Sequence, residues 1–109
     1  MKKNNIIKKN YEINKVLNSN NKFSNKYFSI YKDSNNLNKY RFAICVSKKL
    51  GNAVTRNKIK RQVKDIIDKS NFVFKTNEDY VIIIKKEINN INFEDRKTNL
   101  LNLISKVID

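Results

Sequence analysis

The residues best equipped for chemistry sit in the middle of the chain, in the run Ser47-Lys48-Lys49-Leu50-Gly51-Asn52-Ala53-Val54-Thr55-Arg56-Asn57-Lys58-Ile59-Lys60-Arg61. Their chemistry is the grip of anions: an arginine fork holds phosphate by two parallel bonds, and a lysine ammonium holds it as a point charge. From Asp33 to Asp65 no acid interrupts the chain, while Lys39, Arg41, Lys48, Lys49, Arg56, Lys58, Lys60, Arg61 and Lys64 all fall inside that span. Three of the four arginines lie there, in a sequence that otherwise prefers lysine. Such a stretch reads as a phosphate-binding surface. The whole chain carries 24 Lys and Arg against 10 acids, a net charge of +14, and a field of that sign attracts polyanions and releases their counterions. A sequence rich in Asn, Lys and Ile, with one Gly and no Pro, owes part of its lysine to composition. The distribution of charge therefore carries more weight than its sum.

The same inventory excludes other chemistries. A protein nuclease needs a general base, a nucleophile or a metal cage. Histidine is absent, and the acids do not cluster: Asp65 and Asp68 are one helical turn apart but follow a basic face, as ordinary helix charges do. The chain alone is expected to be catalytically inert and to hold no metal of its own. The single cysteine, Cys45, forms no internal disulfide and supports no zinc framework; it reads as a small, half-buried apolar residue. The basic N-terminus, Met1 to Lys9, lacks an apolar core of signal-peptide length. The longest apolar run, Val81-Ile82-Ile83-Ile84, is far too short to span a bilayer. A soluble protein of the reducing cytoplasm is expected, built as one domain over residues 1–109.

The elements that must position these residues follow from periodicity. Asn10 caps a helix running to about Asn18, with Ile13, Val16 and Leu17 on its apolar face. Tyr27 to Lys32 alternates as a strand, with Phe28 and Ile30 on one side and Tyr27, Ser29 and Tyr31 on the other. Asp33 to Asn36 is a turn. Arg41 to Ser47 is a second strand, and a short one is expected around Lys22 to Ser24. Gly51 allows a tight turn, and Asn52 caps a helix from Ala53 to Lys69. That helix buries Ile59, Val63, Ile66 and Ile67 and turns Asn57, Lys60, Arg61 and Lys64 outward. Asp79 to Lys86 is a strand covered on both faces, and Phe93 to Val107 is a last helix with Phe93, Leu100, Leu101, Ile104 and Val107 on its apolar side. The order makes an α+β sandwich, a sheet with helices packed on it.

The central run resembles the signature of the bacterial ribonuclease P protein family, S-K-K-x-G-N-A-V-x-R-N-R-x-K-R. The likeness extends to Lys8-Lys9-Asn10 before the first helix, to Phe28 and Tyr31, to Arg41, and to Asp79-Tyr80-Val81-Ile82-Ile83. It implies a two-layer αβββαβα sandwich, like ribosomal protein S5 domain 2, with a left-handed β-α-β crossover that spacing alone does not reveal, because right-handed crossovers are the rule. It implies an accessory subunit of an endoribonuclease that removes the 5′ leader of precursor tRNA. The partners are then a catalytic RNA and precursor tRNA, with no obligate protein partner, and Mg2+ acts through the RNA. Carried over residue by residue, Arg56, Asn57, Lys58, Lys60, Arg61 and Lys64 face the catalytic RNA, and Lys48 and Lys49 form the basic entry to their helix. Ile13, Leu17, Ser29, Tyr31 and Cys45 line the leader cleft. The chain departs from relatives that place phenylalanine where it has Ile13 and Leu17; aliphatic side chains pack against bases but offer no π-face for stacking. Lys58 and Lys64 replace common arginines, which keeps the charge and loses the fork.

Two other classes fit the residues without the resemblance. A structural ribosomal protein would use the same basic surface to neutralise ribosomal RNA. A DNA-binding regulator would lay the basic helix in a major groove, although a strand and a loop precede that helix where a helix-turn-helix needs another helix. A basic helix face is by default solvated surface, a reading that the Arg-Asn-x-x-Lys-Arg spacing and the acid-free flanks reverse here; Tyr31 is by default a half-buried sheet aromatic, and Ile13 and Leu17 fit the core as readily as a cleft wall.

Overall fold

The computed structural model describes residues 1–108. Seven main elements follow one another: α1 (Asn10–Leu17), β1 (Lys22–Ser24), β2 (Phe28–Ser34), β3 (Arg41–Val46), α2 (Ala53–Lys69), β4 (Glu78–Ile84) and α3 (Phe93–Ile108). Single 3-10 turns occupy Lys3–Asn5, Lys48–Leu50 and Lys86–Asn90. The strands form one sheet in the order β1-β2-β4-β3. β2 is antiparallel to β1 and β4, while β3 runs parallel to β4 with Arg41 opposite Asp79 and Val46 opposite Ile84. The α+β order expected from the sequence is the observed one, including the short strand β1.

Alternation along the strands builds two cores. Phe28, Ile30, Phe42, Ile44, Tyr80, Ile82 and Ile84 face α2 and α3 and meet Ile59, Val63, Ile66, Leu100, Leu103 and Ile104. The opposite face sends Ala43 and Val81 toward Ile7 and Val16, with Ile13, Leu17, Tyr31, Cys45 and Ile83 packed beside them. β4 is thus covered on both faces, as its nearly unbroken apolar sequence requires.

The hand of the β3-α2-β4 crossover follows from the backbone. Lys32 N–H donates to the Asn21 carbonyl at 3.1 Å and Asn25 N–H to the Phe28 carbonyl at 2.9 Å, so the even-numbered residues of β2 turn their peptide groups to β1. The side chains of Phe28 and Ile30 turn to α2 and α3. In a strand of L-residues running upward with that side chain toward the viewer, the peptide groups point right. β1 therefore lies right of β2, and β4 and β3 lie left. Turned so that β3 and β4 run upward, the path leaves β3, crosses in front as α2 and returns to its left. That is a left-handed crossover, against the general rule.

Several local readings are corrected, among them the end of the last strand, which stops at Ile84 short of Lys86. Asn10 is the first residue of α1 and caps nothing; Lys9 is the cap residue, and its carbonyl accepts the N–H groups of Glu12 and Ile13. β2 continues through Asp33 and Ser34, because β4 offers Asp79 and Glu78 as ladder partners, and the turn moves to the residues that follow. Tyr27 precedes the strand in a bend closed by Asn25 Oδ1, and it packs on the α2/α3 side, not with Ser29 and Tyr31. Phe93 opens α3 at 38% exposure, outside the core.

Candidate nucleic-acid interface

The basic helix is set by local chemistry. Ser47 Oγ accepts the Lys49 N–H at 3.2 Å and starts the 3-10 turn. Gly51 follows at φ 151°, ψ −166°, a region open essentially to glycine alone. Asn52 Oδ1 then accepts the Thr55 N–H at 2.9 Å and caps α2. With Ile59, Val63, Ile66 and Ile67 buried, the helix can present its other side only outward. Asn57, Lys58 and Arg61 are exposed, as are Lys48 and Lys49; Arg56, Lys60 and Lys64 are half-exposed. Among the described residues, none of these seven cations has a carboxylate within 4 Å; the ion pairs of the molecule lie elsewhere. Lys69, at the end of the same helix, differs: its ammonium stands 3.1 Å from Asp65. Within the acid-free span, Arg41 is the exception. It leaves the basic surface altogether and pairs with acids distant in sequence.

Beside α2 lies a cleft. On the face of the sheet toward α1, register brings the side chains into rows. Lys22, Tyr31, Val81 and Ala43 form one row, and Ser24, Ser29, Ile83 and Cys45 the next. α1 covers the first row with Val16, and Ile13 and Leu17 flank it. The five residues carried over from the family, Ile13, Leu17, Ser29, Tyr31 and Cys45, therefore do share one face, but not equally. Ser29 is 4% exposed, and its hydroxyl hydrogen-bonds that of Ser24 at 2.7 Å; Ser24 is the hydroxyl that solvent reaches. Tyr31 is half-buried, with the Lys22 ammonium 5.5 Å from its ring centre. Cys45 is half-buried, and burial pushes its thiol upward in pKa while Lys60 pulls it partly back. Ser24, Ile83 and Lys22 join the site only through strand register, which no local pattern encodes.

A groove of about 370 Å³ runs along the outer edge of β3 from Ile6, Ile7 and Ile13 past Ala43 and Cys45 to Lys60 and Lys64. The chain before α1 crosses that edge, where Ile7 N–H donates to the Phe42 carbonyl at 2.8 Å. Lys60 and Lys64 thus belong at once to the basic side of α2 and to the wall of the groove.

At the start of β3, Arg41 Nε and Nη2 donate to Asp79 Oδ1 and Oδ2 at 2.9 and 2.7 Å, and Nη2 also donates to Glu12 Oε2 at 2.9 Å. Asn35 Nδ2 donates to the same Asp79 Oδ1 at 2.7 Å. The guanidinium, held by Asp79 first and by Glu12, is driven further above its already high pKa. Glu12 and Asp79 are both paired with Arg41. The arrangement sets the cations of α2 beside an apolar, partly aromatic floor.

The family model for ribonuclease P matches residues 1–108. A ribonuclease P protein component from Bacillus pumilus is 38% identical over 107 residues, covering 97% of this chain and 90% of the relative. One from Streptococcus pneumoniae is 35% identical over 104 residues, covering 95% and 85%. The solved structure of the Staphylococcus aureus RNase P protein superposes with a TM-score of 0.82 at 30% identity, covering 96% of this chain and 98% of the other. That of the Thermotoga maritima protein gives 0.79 at 26% identity, covering 92% and 94%. The signature around α2, the αβββαβα sandwich and its likeness to these proteins agree, and the chain belongs to the ribonuclease P protein family, serving as a protein subunit in tRNA processing.

Proposed function

We propose that α2 and its approach loop bind the catalytic RNA of ribonuclease P, while the cleft between α1 and the sheet takes the single-stranded 5′ leader of precursor tRNA. The RNA and its Mg2+ ions cut the phosphodiester bond; the protein contributes charge and shape. It shields the repulsion between two polyanions and gives the leader a groove. No protein partner is required, and the work is done in the cytoplasm, where precursor tRNA is made. The observation that carries this reading is the placement of Lys60 and Lys64, which join the uncompensated cations of α2 to the apolar groove beside Cys45. One strand can then lie on the helix and the next in the cleft, with Lys60 and Lys64 between them.

The test is cleavage of precursor tRNA by the matching catalytic RNA at low Mg2+, with and without this protein. Strong stimulation, with no cleavage by protein alone, is the expected result. No stimulation with correctly folded partners would overturn the reading and bring forward a structural role on ribosomal RNA.

A further inference from the structure

α1 has only eight residues, of which Val16 alone is fully buried. A helix that short is marginal in water by itself; Val16, Ile13 and Leu17 pack it on the sheet, and two ion pairs add to that hold. Arg41, Asp79 and Asp33 stand side by side on β3, β4 and β2. Above them, Glu12 takes a bond from Arg41 at 2.9 Å, and the Lys15 ammonium stands 3.4 Å from Asp33. The two ion pairs have opposite polarity and come from one turn of α1. Sliding the helix by one strand would set Glu12 against Asp79, carboxylate against carboxylate. Arg41 is a fixed post, because its fork grips both oxygens of a nearly sealed Asp79. Ile13 and Leu17, the α1 side of the cleft, follow Glu12 on the same helix.

We propose that Glu12 is a positioning residue for substrate binding: through Arg41 and Asp79 it sets where α1 stands over the sheet, and so the width of the cleft. This rests on the leader reading of that cleft.

The experiment uses the reconstituted holoenzyme and two precursor tRNAs, one with a long single-stranded leader and one with a single-nucleotide leader. Glu12→Gln leaves the Arg41–Asp79 pair intact, and unchanged affinity for the catalytic RNA reports a folded protein. The expected result is a rise of about two- to fivefold in KM for the long-leader substrate, the scale of a partly exposed ion pair. kcat stays unchanged, and so does KM for the short leader. Equal weakening of both substrates would mean that the network only holds the fold, and would overturn the proposal. Unchanged KM for both, while Tyr31→Ala still weakens the long-leader substrate selectively, would overturn the proposal and leave the cleft standing. If Tyr31→Ala spares the long leader as well, the cleft reading falls, and the proposal with it.

Discussion

Arg61→Gln should remove one counterion from the salt dependence of catalytic-RNA binding, whereas Lys69→Gln should leave that dependence unchanged. Both side chains are exposed on α2, eight residues apart, and both substitutions delete one positive charge. They differ in what the charge does in the free protein. Arg61 has no carboxylate within 4 Å among the described residues, while Lys69 is paired with Asp65 at 3.1 Å. If about six of the seven uncompensated cations reach phosphates, log affinity falls with log salt at a slope of about −4 to −5. Deleting one contact reduces the slope by about 0.7–0.9. At about 0.1 M salt, one decade below the 1 M reference, this is roughly a sixfold loss of affinity that shrinks as salt rises. Fluorescence anisotropy titrations of the full chain with the catalytic RNA, at several monovalent salt concentrations and fixed Mg2+, read both quantities. A constant loss for Arg61→Gln at every salt concentration would refute the phosphate contact. An equal fall in slope for Lys69→Gln would show that only net charge matters and that α2 is an ordinary solvated helix.

Further predictions concern the cleft, the approach loop and the core. Tyr31→Ala should weaken holoenzyme binding of long-leader substrates and spare those without a leader, since Tyr31 lies on the cleft floor away from α2; equal losses in a leader-length series would exclude that role. Gly51→Ala places a Cβ 3.2 Å from Thr55 Cβ and Cγ2 at φ +151°, and should cost about 1–3 kcal/mol in urea unfolding. Asn52→Ala removes the cap on Thr55 N–H and should cost about 1 kcal/mol, less than Gly51→Ala in the same assay. Tyr80 is buried, its hydroxyl donates to Glu78 at 3.0 Å, and burial first, then that bond, raise its phenol pKa. The unfolded phenol loses its proton near pH 10 while the folded one keeps it, so this contribution to stability is whole below about pH 10 and declines above it. Tyr80→Phe should flatten the alkaline fall of the unfolding free energy; an unchanged slope from about pH 9 to 11 would contradict the assignment.

What the sequence made legible was whatever a short window encodes. α2 could be read to the residue, since its cap, its apolar stripe and its glycine turn all lie within about twenty positions. The cleft could not be read this way. Its floor is assembled by pairing β2 with β4 and β4 with β3, and the residues that meet there are dozens of positions apart. The family likeness supplied Ser29 but could not show that Ser24 seals it, because that depends on the register of β1. Arg41 shows the limit most clearly. Counted along the chain, it is one more cation in an acid-free span. In space it stands beside Asp79 and Glu12, 38 and 29 positions away. The acid-free span is therefore two things in the folded molecule: an uncompensated surface from Lys48 to Lys64, and an internal post at Arg41. Linear charge density identifies a binding surface only where the fold brings no distant acid against it. α2 meets that condition because its buried stripe faces the sheet and α3, leaving its basic side turned away from the acids of β2, β4 and α1.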